Sequence, residues 1–350
     1  MPHPALINKT SFAFEALLLT DEEGVSQFVP CVQAVFAIGA KGGLALLEKQ
    51  PPVSVGGKWR GDPAKTSMIF EPQIAFAKPG TDVVLLGHAH APSPGSTEGL
   101  VGIRLGPLQK TAKVFGDRRV VNRLGRSSIT RPEPFERIPI VHERAFGGWD
   151  RHDADPLKHR HEPRNPVGVG FRITPQGAEE QALPNFEDPQ HLFTSWGATP
   201  PPAGFGFIAP NWQPRLGFAG TYDAAWNKTR KPLLPRDFDR RFFNAAAPGL
   251  VAPGHLKGDE AVVVIGAAPE GRVDFCLPGL PPPLCLVELR GRKRVPLQCV
   301  LDTVIVDMDS CTLTLTWRAH IGVRNGPHDV LSVEVHANHE SAARVSVAVA

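Results

Sequence analysis

The chain has 350 residues, 42% of them hydrophobic and 21% charged, with a formal net charge of +3; that is enough apolar material for a real core in one large domain or two ordinary ones. So mild and dispersed a positive charge excludes an electrostatic footprint for nucleic acid. The longest apolar run, AVVVIGAA at 261–268, falls far short of the roughly 18–20 residues of a membrane-crossing helix, so no membrane insertion is expected.

The opening MPHPALINKTSFAFEALLLTDEEG lacks a basic leader, and Glu15 interrupts its apolar stretch. No secretory signal is read, and a cytoplasmic location is expected. Stretches at 29–38, 67–76, 82–86, 100–105 and 112–121 are short, rich in Val, Ile and Phe, and punctuated by Gly or Pro, which predicts strands. The same grammar returns at 261–266, 284–289, 298–306, 312–318, 332–336 and 343–349. In TLTLTW the alternation is strict, with Leu313, Leu315 and Trp317 on one face and Thr312, Thr314 and Thr316 on the other. With DMDS as the turn, LDTVIV and TLTLTW predict a hairpin.

Between these ends, 15 of the 36 prolines lie from Pro156 to Pro253, and four of the six tryptophans from Trp149 to Trp226. Recurrent aromatics can offset the entropy of ordering by burial, and proline lowers that entropy in the unfolded chain. Ordered loops over a β scaffold are expected, with short helices at 223–227 and 239–246. The fold class expected is mainly β, with two sandwich-like or barrel-like lobes at 1–142 and 256–350 and an irregular Pro/Trp-rich region at 143–255. A single compact unit is the alternative arrangement.

The stretch ERAFGGWDRHDADPLKHRHEPRNPVGVGF at 143–171 gathers His152, His159 and His161 beside Asp153 and Asp155, and His142 precedes it. Imidazole and carboxylate suit zinc, iron or nickel. The spacing lacks HExxH, and Lys158 and Arg160 interleave positive charge, so a solvated polar loop competes with the metal reading. His88 and His90 in GHAHAP raise the same question as weakly. No GxSxG elbow, Walker loop or Rossmann glycine pattern is present, so no catalytic set is assigned and no cofactor is expected. Five cysteines, odd in number and without a CxxC pair, read as reduced core thiols.

What the middle offers instead is anchors. Trp149, Trp196, Trp212 and Trp226 with Arg144, Arg215, Arg230, Arg240 and Arg241 are residue types that dominate binding hot spots. The competing reading is internal pinning of loops, for example Asp237 and Asp239 pairing with Arg240 and Arg241 or with other loops.

ERAFGGWD, NPVGVGF, LPNFEDP, HLKGDEAV and the long run PAGFGFIAPNWQPRLGFAGTYDAAWNKTRKPLLPRDFDRRFFNAA together resemble domain-of-unknown-function family 2169, found with bacterial type VI secretion genes. Flanking segments extend the likeness over roughly residues 5–320. The resemblance implies a non-enzymatic adaptor or chaperone that binds a secreted effector, or its PAAR-type tip domain, and helps load it onto the VgrG spike. The expected partner-binding residues are Arg144, Trp149, Trp212, Arg215, Tyr222, Trp226, Asp237, Arg240 and Arg241. Gly147, Gly148, Asn165, Pro166 and Gly220 are expected to shape loops. Two rival functions stand beside it: a metal-dependent enzyme using the histidine-rich loop, and a carbohydrate-binding sandwich that stacks sugars on Trp149, Trp212 and Trp226.

Overall fold

The computed structural model describes residues 4–123, 126–172, 181–195, 197–291, 294–324 and 326–337. Trp196 and the strand expected at 343–349 lie outside them.

The spine is the strand Ser26–Ile38, whose near-continuous run of Val, Phe and Ala is buried on both faces, as a central strand requires. One of its edges pairs antiparallel with Ala13–Thr20 and then Leu44–Leu46, the other with Thr312–Arg318 and Ile321–Val323. Thr312–Arg318 continues into Val300–Asp307, forming the expected hairpin, and Asp82–Leu86 adds parallel to it. In the turn, the Asp307 carboxylate accepts hydrogen bonds from the backbones of Asp309 and Ser310 and from the Ser310 hydroxyl, an Asx-type closure. Leu313, Leu315 and Trp317 are buried as the alternation predicts. The opposite face is not left to solvent: Thr316 and Arg318 are buried as well, the latter beneath the irregular segment around Gln73.

A second sheet runs Phe186–Glu187, Leu108–Phe115, Glu98–Leu105, Ala261–Ile265, Arg272–Cys276. A third runs Ala5–Asn8, Val330–His336, Leu284–Leu289, Val295–Gln298. Each of the three larger sheets therefore joins strands from before residue 142 to strands from after residue 256. The two chain ends interleave within each sheet, and one buried cluster runs from Phe28 and Val83 through Ile103 and Val262 to Cys285 and Val333. The sheets are open, with no closed barrel among the described residues.

The described part of the proline-rich middle is ordered. Its backbone lies along the outer edge of Asp82–Leu86, where the Val83 and Leu85 N–H groups donate to the Leu250 and Phe205 carbonyls (2.8 and 3.2 Å). An edge strand that would otherwise offer unpaired groups is thus covered. Buried Asp82 fixes the register, accepting from Asn244 Nδ2, from the backbone N–H groups of Ala245 and Ala246, and from Lys78 Nζ. The expected helices are one α-helix, Ala224–Thr229, capped by Asp223, and one 3-10 turn, Arg240–Phe243, capped by Asp239.

All five cysteines are free thiols. Cys31, Cys285 and Cys299 are buried, as expected, but Cys276 and Cys311 are exposed, which corrects the reading of all five as core residues. Among the described residues no helix is long and apolar enough to cross a membrane.

Candidate binding site

The arrangement with the most chemical content is a cavity of about 650 Å³. Its floor comes from Gln109, Lys110 and Thr111 on Leu108–Phe115, together with His142; its walls are Pro189, Pro201, Pro202, Pro214 and Pro248 with Ala203, Ile208 and Ala247. An apolar hollow with a few convergent polar groups is the usual form of a small binding site. Proline suits such walls because its fixed φ and missing N–H let loops hold shape without a ladder of hydrogen bonds. One wall is braced by Arg164, which forks onto the Glu162 carboxylate (2.7 and 2.8 Å) and reaches the Pro200 carbonyl (3.3 Å).

His142 is 4% exposed, its ring edge-on to Trp212 at 5.4 Å. Glycine at 204 makes this possible, because a Cβ there would lie 2.3 Å from the imidazole. Neither ring nitrogen has a hydrogen-bond partner. The Gly206 backbone is close enough to favour the protonated ring slightly, yet does not reach hydrogen-bonding geometry. Desolvation dominates and pushes the imidazole down from 6.5 to about 4, so the ring is neutral at pH 7 and holds one unmet donor and one unmet acceptor.

Lys110 stands at the polar side of the same cavity. Its side chain keeps partial exposure, but protein crowds the ammonium, and desolvation lowers its pKa from 10.5 to about 8, with Asp188 acting weakly in the other direction. Its hydrogen bond goes to the Pro248 carbonyl at 2.6 Å, and the Phe205 ring lies 5.7 Å away. No carboxylate among the described residues is within ion-pair distance of it. The lysine positive charge also disfavours protonation of His142.

The residues expected from sequence fall elsewhere. Trp212 and Arg215 are buried and belong to the fold rather than to a partner surface on it: Arg215 pairs with Glu71 and donates to the Ile208 and Phe242 carbonyls. Trp212 therefore cannot offer a ring face to a sugar, so the three-tryptophan platform does not form. Tyr222 is exposed and packs edge-on to half-buried Trp226 at 4.7 Å, whose indole N–H donates to the Leu233 carbonyl. Asp237 accepts from the Thr221 backbone and hydroxyl, Arg240 pairs with Glu22, and Arg241 pairs with Asp239, as internal pinning predicts. Arg144 donates to Asn185 Oδ1 at 3.1 Å. Trp149 is exposed, stacked on His161 at 4.4 Å with Arg151 over its ring, and with His152 and Arg172 it borders a second, more open hollow.

The loop-shaping residues act together. Asn165, fully buried, donates to the His142 and Phe146 carbonyls (2.7 and 2.9 Å), and its own carbonyl accepts from Gly148. Gly148 has φ +97°, and a Cβ there would meet the Gly168 carbonyl oxygen at 2.3 Å. Pro166, half-buried, follows Asn165 at the edge of the Trp149 hollow. Gly220, at φ +80°, sits against Pro235 and Asp237. The histidine-rich loop does not converge: His159 Nε2 contacts the Asp153 carbonyl, His161 stacks on Trp149, and His152 lies apart at the hollow. No three His, Cys, Asp or Glu side chains among the described residues are placed to hold a metal ion. His88 instead pairs with Asp309 at 2.7 Å.

The fold and cavity together define a mainly β protein with a largely apolar-walled cavity and, among its described residues, no group of three His, Cys, Asp or Glu side chains placed to hold a metal ion. The chain belongs to the bacterial family DUF2169, described as an uncharacterized protein conserved in bacteria, whose profile matches residues 23–318. No curated protein and no solved structure matches it. LPNFEDP and the run beginning PAGFGFIAPNWQP, two of the stretches that carry the family likeness, supply Asp188, Pro189, Pro202, Ala203, Gly204, Ile208, Gln213 and Pro214 of the cavity lining.

Proposed function

We propose that this chain is a non-enzymatic adaptor or chaperone that binds a type VI secretion effector, or its PAAR-type tip domain, and helps load it onto the VgrG spike. The observation that supports this reading best is the cavity itself. It is built in advance by proline-rich loops pinned to the β scaffold, and a rigid site saves the entropy of ordering on binding. Its polar groups, a desolvated lysine and a neutral unpartnered histidine, can hold a peptide segment. Exposed Trp149 and Tyr222 extend the contact surface with aromatic anchors. The test is co-purification: tagged protein drawn from the cytoplasm of a producing bacterium should bring down an effector, PAAR-type or VgrG protein. Recovery of none of these while they are expressed would overturn the proposal.

A further inference from the structure

The cavity contains two unmet demands that a single kind of ligand would satisfy. Lys110 is a cation crowded by protein, held by one carbonyl and lacking a carboxylate counter-ion. His142 is almost completely buried, lines the same space, and leaves both ring nitrogens without partners. Burying polar groups unpaired is costly, so each is a place where an arriving partner gains more than it would at the surface. Proline, alanine and isoleucine supply most of the apolar area of the walls, while Gln109, Thr111, Arg164, Asp188, Gln190 and Gln213 add polar groups at the lining, the Asp188 carboxylate beyond ion-pair distance of Lys110.

We propose that the cavity receives the free C-terminal end of a polypeptide. The terminal carboxylate sits on Lys110, a backbone amide of the chain end meets His142, and an apolar last side chain packs against the proline walls. A carboxylate on a partly desolvated ammonium forms a charge-assisted hydrogen bond, roughly twice as strong as a neutral one. A peptide group carries a donor and an acceptor, so its N–H or its carbonyl can meet one of the two ring nitrogens of a neutral imidazole. Capture of chain termini is a recurrent mode of peptide recognition, and here a side-chain cation takes the place of a backbone nest. That the chain end is supplied by a secreted client rests on the adaptor reading; the chemistry of the cavity does not.

The probe is the tripeptide N-acetyl-Ala-Ala-Leu with a free carboxylate, compared with its C-terminal amide, titrated into full-length protein carrying 15N-labelled histidine. The His142 ring signals are assigned by their loss in His142→Phe. The acid is expected to bind with a Kd of about 1 mM or tighter, to shift the His142 ring signals, and to bind at least about tenfold more tightly than the amide. In Lys110→Met, checked for folding by circular dichroism, the acid should fall to the affinity of the amide while the amide is unchanged. Equal binding of acid and amide to wild type, or no shift at His142 with acid at about 10 mM, would overturn the inference. Because the probe is synthetic, such a failure leaves the adaptor reading standing, and a missing client in the co-purification leaves the tripeptide result intact.

Discussion

The neutrality of His142 makes a quantitative prediction about stability and pH. Its ring is buried against Trp212 and Gly204 without a hydrogen bond, so the folded state binds a proton only near pH 4, whereas the unfolded chain does so near the ordinary 6.5. Between those values the unfolded state carries more protons, and stability falls as pH falls; above them the histidine contributes no pH dependence. Linkage over this interval gives a loss of about 2 kcal/mol by pH 5 and about 3 kcal/mol by pH 4. The assay is urea unfolding followed by tryptophan fluorescence at about pH 7.5 and about pH 5, for wild type, His142→Phe and His142→Asn. Carboxylates elsewhere titrate alike in all three proteins, so the difference between their pH dependences isolates His142. Wild type should lose about 2 kcal/mol more than either variant between the two conditions. An equal loss in all three would refute the argument that the ring is desolvated and unpartnered.

Three further outcomes follow from the packing. Arg318→Met should cost about 3–5 kcal/mol in urea unfolding, because it leaves Asp302 buried and uncompensated, and the double variant Arg318→Met/Asp302→Leu should cost less than Arg318→Met alone. Gly148→Ala should lower stability by about 1–3 kcal/mol through its left-handed backbone and the Gly168 carbonyl, while Gly254→Ala, with open space around its Cβ position, should change the melting midpoint little. Arg241→Ala removes only an exposed pair with Asp239 and a ring contact with Phe218, so it should leave the melting midpoint unchanged; any loss of client binding in that variant then reports on the interface.

Elements whose signal is local were legible in the sequence. Asp82–Leu86, Leu284–Leu289 and Thr312–Arg318 form over the residues expected because β-branched runs there are bounded by turn residues. Where tertiary contacts decide, the local signal misled. Of 67–76 only Met68–Phe70 is a strand, since Arg318 draws in the Gln73 and Ala75 carbonyls. The stretch 112–121 breaks at Gly116, where a Cβ would collide with the Glu133 carbonyl oxygen at 1.7 Å. Ala13–Thr20 was not anticipated because its Leu- and Ala-rich run carries little strand preference; it forms by pairing along the spine. The interleaving of the two chain ends depends on pairings across roughly 160 to 330 residues, which no local pattern encodes.

The site was less legible than the fold. Trp212 and Arg215 carry hot-spot chemistry in sequence, but side-chain type does not reveal burial, and both are used inside the scaffold. Lys110 had no distinguishing neighbours, and His142 drew notice only as part of a histidine-rich stretch. Their common feature arises when loops from 188–190, 201–204 and 247–249 close over one strand. The closest sequence signal was the GFGF spacing at 204–207, whose first glycine leaves room for the His142 ring.

The measurement that bears most directly on the adaptor claim is co-purification of tagged wild type and Lys110→Met from the cytoplasm of a type VI-competent bacterium, with partners identified by mass spectrometry and folding of the variant confirmed in parallel. The account predicts an effector, PAAR-type or VgrG protein with wild type and a reduced yield with the folded variant. Absence of every such protein from the wild-type sample, while all are expressed, would contradict it.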